Sequence, residues 1–151
     1  MSKSVTLEDA IFIALQVHEG QKDKAGSSYI LHPLRLMLRM KTEEEMMAAV
    51  LHDIIEDSSW TIEQLRDKGF PENVLAAVEC LTRRDDETYE QFIERVRTNP
   101  VARRAKIADL EDNMNVRRFG KLTAKDLQRL EKYHQAWQIL TSDIDSQNGT
   151  I

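Results

Sequence analysis

One cysteine, Cys80, in 151 residues leaves no partner for an intrachain disulfide. Its apolar setting, LAAVECL, marks it as a buried free thiol suited to a reducing compartment. Turn residues are scarce too. Five glycines and three prolines are too few for a many-stranded β fold, which asks for a turn about every 8–12 residues. Long apolar runs are missing: AIFIAL, from Ala10 to Leu15, is as long as any, against the ~20 residues that cross a bilayer. The start, MSKSVTLEDA, turns acidic before any apolar run, so no secretion signal is expected and the cytoplasm is the expected location. Positive charge is in deficit, with 21 Lys and Arg against 26 Asp and Glu and a net charge of −5. That excludes broad nucleic-acid binding, which rests on phosphate neutralisation. A small anionic substrate remains open, provided cations gather locally. Neither nucleic acid nor membrane is an expected partner, and the oligomeric state is not legible.

What is there is helical. Hydrophobic residues at 41% and charged residues at 31% fit one globular domain over 1–151, with a core from about 5 to 141 and a frayed tail at 142–151. Thr6 precedes Asp9, Thr42 Glu45, Thr61 Gln64, Thr88 Gln91 and Thr123 Asp126, each a capping box or its Asp variant ahead of an apolar periodic run. Pro33, Pro71 and Pro100 suit first helical turns. The pattern predicts an all-α fold of about eight helices, near 6–19, 33–40, 43–57, 61–68, 71–82, 88–98, 100–117 and 123–141. No segment alternates long enough to be a strand.

The third of these helices carries LHDIIED, with His52, Asp53, Glu56 and Asp57 following the apolar AAV. Residues four apart share a helix face, which stacks His52 on Glu56 and Asp53 on Asp57. Such charge, partly buried, requires a positive partner. A divalent metal meets that need, since imidazole and carboxylate together suit Mn, Fe or Zn. Taken alone, the segment reads first as a solvated helix end with a chance His-Asp pair, and only second as a metal site.

Other polar residues stand in similar settings. In AKIADLEDNMNVRR, Lys106, Asp109 and Asn113 form one stripe on a partly buried helix, the wall of a polar site or an ordinary salt-bridged face. His32, in YILHPL, sits at or just before a helix start. His18 continues an apolar stripe and reads as a core histidine, and His134 as structural. Arg129 and Tyr133 lie four apart beside Leu127, Leu130 and Trp137, either at a pocket edge or on a plain amphipathic helix. The loop HEGQKDKAGSSYI is a surface loop or a basic arm over an anion.

The order H-x-G-Q, Y-I-L-H-P, L-H-D-I-I-E-D, L-T-R and K-I-A-D-L-E-D-N resembles the HD-domain phosphohydrolases, within them the alarmone hydrolases of the RelA/SpoT type and their small free-standing branch. The resemblance runs from about residue 5 to 140. It implies an all-α HD bundle holding one Mn²⁺, with His32, His52, Asp53 and Asp109 as ligands and Glu56 and Asp57 as the catalytic acids. Asn113, Lys24, Arg129 and Tyr133 fall on substrate-contacting positions, with Lys106 a further candidate neutraliser of substrate charge. The implied reaction is hydrolysis of the 3′-diphosphate of ppGpp or pppGpp, giving GDP or GTP and pyrophosphate. By length the hydrolase alone is expected. Two positions depart from the family. Asp23-Lys24 stands where bifunctional members have Arg-Lys, and DLEDN where many have DRLHN. A second HD activity therefore stays open, on an adenosine alarmone, another 3′-phosphorylated nucleotide or a nucleoside 5′-monophosphate, as does a nucleotide-binding sensor.

Overall fold

The computed structural model describes residues 4–148, with side chains through 142. Nine α-helices are present among the described residues: α1 Leu7–His18, α2 Leu31–Leu38, α3 Glu43–Val50, α4 Ile54–Asp57, α5 Ile62–Lys68, α6 Glu72–Leu81, α7 Tyr89–Arg97, α8 Pro100–Asn113 and α9 Ala124–Asn148. A 3₁₀ turn at Val116–Arg118 follows α8. The described residues contain no strand, only an isolated bridge between Lys22 and Ser28. No helix among them is long and apolar enough to cross a membrane.

The helix starts follow from their caps. Thr6, Thr61 and Thr88 each accept from the backbone three residues on, and Asp9, Gln64 and Gln91 reach back. Thr123 and Asp126 do the same at α9, at 3.2 and 2.9 Å. These exchanges satisfy amides that a helix start leaves bare. Thr42 caps α3, but Glu45 turns instead to the Lys41 amide and to Arg104. Pro100 opens α8, Pro71 caps α6, and Pro33 is the third residue of α2. Gly69 ends α5 at φ 103°, the left-handed turn that a residue with a side chain resists.

Two expected helices are broken in two. The predicted helix 43–57 stops at Val50 and resumes at Ile54. The predicted helix 100–117 ends at Asn113, with the 3₁₀ turn beyond it. α9 runs to Asn148 rather than 141, and the rest of the expected tail lies outside the described residues. Cys80 is half-buried rather than buried, and burial pushes its thiol up, which keeps it protonated.

α3 lies at the centre and packs against α1, α2, α6 and α8. Its last residues explain why: Ala48, Ala49 and Val50 are wholly buried, as are Leu51 and Ile54 just beyond. Two alanines let neighbouring helices approach closely, while Leu51 and Ile54 each contribute about 1.5–3 kcal/mol by burial. The turn joining α3 to α4 is therefore anchored on both sides by packed core. Ala49→Leu should overpack this centre and lower stability by about 1–3 kcal/mol, measured as a fall in the urea midpoint. An unchanged midpoint would mean that the α3 contact has slack.

Candidate active site

The turn between α3 and α4 carries His52 and Asp53, and its cause is a side chain. In a continuous helix the Ala49 carbonyl would accept from the Asp53 amide. Here the His52 Nδ1–H donates to that carbonyl at 2.8 Å, and the His52 amide lies 3.4 Å from it. The Ile54 amide closes on Leu51 at 3.2 Å, and the helical pattern resumes with Asp57 N to Asp53 O at 2.9 Å. The one continuous helix from which the stacking of His52 on Glu56 was expected is thereby interrupted, whereas the Asp53–Asp57 backbone step is helical.

With Nδ1 engaged, His52 turns Nε2 inward. That nitrogen is buried without a hydrogen-bond partner, and Asp53 Oδ2 lies 3.1 Å and Asp109 Oδ1 3.6 Å away. His32, in the first turn of α2, brings Nε2 to within 2.8 Å of Asp109 Oδ1. Donor atoms of His32, His52 and Asp109 all lie within 4.8 Å of one another, and all three residues are buried. Two imidazoles and a carboxylate with one orphaned nitrogen suit a divalent metal ion. Asp53 stands at the edge of this group and accepts from the Tyr29 hydroxyl.

Electrostatics follow from the packing. Burial disfavours charge on His52, yet Asp53 and Asp109 hold its imidazole well above the ordinary value. Burial likewise opposes a charged His32, and its bonds to Asp109 and Asp112 outweigh it. Burial would raise the Asp109 carboxyl, but Lys106 and the two histidines hold it far below the usual range. Burial, then the Asp53 charge, pushes Glu56 and Asp57 upward.

Two cavities meet at this cluster. The inner one, about 250 Å³, is walled by His52, Asp53, Glu56, Arg83, Lys106 and Lys132, among others. The outer one, about 230 Å³, lies between the loop residues Lys22–Ala25 and Arg118 and Phe119. Tyr29, His32, Asn113 and Tyr133 line both.

Of the expected substrate-side residues, Asn113 donates to Asp109 Oδ1 at 3.1 Å, and Lys24 lines the outer cavity. Lys106 is ion-paired to Asp109 Oδ2 at 2.8 Å, so it is a partner of the cluster before it is a free cation. Arg129 lines neither cavity and lies 3.6 Å from Asp126. Glu56 lines the inner cavity and accepts from the Arg83 amide at 2.7 Å, while Asp57 lies 4.0 Å from His18 Nδ1. His18 is buried as expected and bonds Gln21 at 2.5 Å, but its Nε2 has no partner. His134 is exposed and stacks on Trp137.

Several residues escaped the sequence reading. Tyr29 stands three before His32 and holds Asp53. Asp112 takes His32 Nδ1 at 2.6 Å and a two-point contact from Arg35. Lys132 lies 3.9 Å over the Tyr89 ring beside Arg83. The i,i+3 spacing of Asp109 with Asp112, and of His32 with Arg35, was the available signal for the second pair.

No family model matches the chain. Over 120 residues it is 31% identical to a guanosine-3′,5′-bis(diphosphate) 3′-pyrophosphohydrolase of Aquifex aeolicus, covering 72% of this chain and 17% of that protein. Over 83 residues it is 36% identical to the bifunctional (p)ppGpp synthase/hydrolase SpoT of Escherichia coli K12, covering 52% and 12%. It is 30% identical over 128 residues to a GTP pyrophosphokinase of Streptomyces coelicolor, covering 76% and 15%. The chain thus spans less than a fifth of the length of these curated relatives. A solved structure described as a metazoan ortholog of SpoT that hydrolyzes ppGpp superposes with a TM-score of 0.72 at 20% identity, covering 100% of this chain and 99% of that one. That likeness shows a shared helical fold. Sequence identity along most of the chain, the bundle and the buried histidine–aspartate cluster agree, and the chain belongs to the HD domains of the RelA/SpoT hydrolase type.

Proposed function

We propose that the chain hydrolyses the 3′-diphosphate of guanosine alarmones, releasing pyrophosphate and GDP or GTP, with Mn²⁺ held by His32, His52, Asp53 and Asp109. One observation carries the reading: a buried metal-fitting cluster lies at the junction of a cation-lined cavity and a second cavity beneath a loop. The relatives named as 3′-pyrophosphohydrolases support the substrate class.

The bond broken is the one between the 3′-diphosphate and the ribose oxygen, with water as the other reactant. A bound divalent ion lowers the pKa of water and polarises a phosphoryl oxygen. The chain's own groups do the rest. Glu56 lines the inner cavity, where burial raises its carboxyl above the ordinary value, and it is the group placed to take and return a proton. Asp57, raised by burial and by Asp53, stands one position further along α4. Arg83 and Lys132 offer the inner cavity cations for phosphate oxygens, joining Lys106. Lys24, Asn113 and Tyr133 line the outer cavity, where the nucleoside would lie. Arg129 would act from outside that lining. Asp23 occupies the arginine position of the bifunctional members, so selection of the base is assigned to this chain's own outer wall.

Three outcomes are expected. Mn²⁺-loaded protein given ppGpp should yield GDP and pyrophosphate by ion-exchange chromatography; phosphate released from a nucleoside monophosphate, with ppGpp untouched, would replace this reading by the alternative HD activity. Asp53→Ala should lose metal and turnover together, whereas Asp57→Asn should keep metal while kcat falls about 10²–10⁴-fold. Retained activity in Asp53→Ala would remove it from the ligand set. Metal affinity should rise with pH. His32 and His52 both sit above the ordinary imidazole value, and each must shed a proton before its nitrogen coordinates. Proton release on Mn²⁺ uptake, read by titration calorimetry in two buffers of different ionisation enthalpy, checks the sign.

A further inference from the structure

We infer that Asp112 is a positioning residue: it fixes the ring of His32 for the metal cluster and, through Arg118, ties that histidine to the loop over the outer cavity. The inference rests on the reading of His32 as a ligand.

The geometry is two pairs facing each other. α8 carries Asp109 and Asp112 one turn apart, and α2 carries His32 and Arg35 at the same spacing. Asp109 meets His32 Nε2 at 2.8 Å, and Asp112 meets His32 Nδ1 at 2.6 Å. One helix therefore supplies both the carboxylate inside the cluster and the carboxylate behind the imidazole. With Nδ1–H donating to Asp112, the ring is oriented and Nε2 is the nitrogen presented inward. A carboxylate in this place also makes the imidazole a stronger donor, as behind other metal-binding histidines.

Asp112 is itself held. Arg35 donates to its two oxygens at 2.8 and 2.9 Å. Arg118 reaches its carbonyl at 2.8 Å and its Oδ2 at 3.5 Å. The side chain is only 10% exposed, and these cations compensate a carboxylate largely withdrawn from water. The Arg118 guanidinium continues to Asp23 Oδ2 at 3.4 Å, in the loop that walls the outer cavity. A run of contacts thus links Asp23, Arg118, Asp112, His32 and Asp109. Glu111, the other extra acid of DLEDN, takes no part. It faces Arg39 and accepts from Trp137 Nε1 at 3.0 Å.

The test is metal affinity, measured on the full chain by calorimetric titration with Mn²⁺ and by the visible absorption of bound Co²⁺. Asp112→Asn should weaken Mn²⁺ binding about 10–100-fold and alter the Co²⁺ bands, with Asp112→Ala at the upper end. Glu111→Gln should keep native affinity and spectrum. Near-ultraviolet circular dichroism confirms folding, and if the alanine variant unfolds, the asparagine variant decides. Native affinity and an unchanged Co²⁺ spectrum in folded Asp112→Asn overturn the positioning role while leaving the metal centre intact. Failure of the native protein to take up either ion removes the metal centre and this role together.

Discussion

A carboxylate buried in the middle of a helix governs the arrangement of this molecule. Asp109 lies on α8 with almost no exposure, and a lone charge there would cost several kcal/mol. A cation and a donor on its own helix and two imidazoles compensate it. Lys106, one turn earlier, takes one oxygen, and Asn113, one turn later, donates to the other. His32 and His52 bring imidazoles from two further segments. The helix core that packs α3 against α1, α2, α6 and α8 holds those segments in place. Fold and site are accordingly one problem: the packing that closes the bundle is also what brings four polar groups to Asp109.

The same requirement explains the interruption between α3 and α4. A straight helix would send the Ala49 carbonyl to the Asp53 amide and leave His52 with two polar nitrogens to satisfy in a dry interior. Breaking the helix lets one side chain use that carbonyl and leaves the other ring nitrogen facing the cluster. Backbone regularity is exchanged for a defined tautomer.

Short-range features were legible in the sequence. The Thr-x-x-Asp/Gln caps are local exchanges, and four of the five expected boxes form as written; at Thr42, Glu45 was drawn off by Arg104, 59 positions away. The candidate ligands were legible because each stands in a motif whose order along the chain is distinctive, and the fold brings His32, His52 and Asp109 together. The break at 51–53 was not legible, because it depends on His52 being buried by residues distant in sequence. Nor was the role of Asp112, whose partners Arg35 and His32 lie 77 and 80 positions away. Lys106 was read as a cation for substrate, since its i,i+3 spacing to Asp109 tells of proximity and not of commitment. The spacing of Arg129 and Tyr133 left a pocket edge and a plain amphipathic helix both open. The resemblance alone put Arg129 on the substrate side, and Asp126, one turn earlier, lies within 3.6 Å of it.

Asp23 gives the loop over the outer cavity a different physical character. Its Oδ1 accepts from the amides of Ala25 and Ser27, both at 2.9 Å, and its amide donates to the Ser27 carbonyl at 2.8 Å. Gly26, at φ 87°, makes the reversal that these bonds require. An arginine here could not fold the loop upon itself in this way, having no acceptor. The aspartate therefore closes the loop inward upon itself. A loop already knotted by its own backbone has less conformational entropy left to lose when it is ordered further.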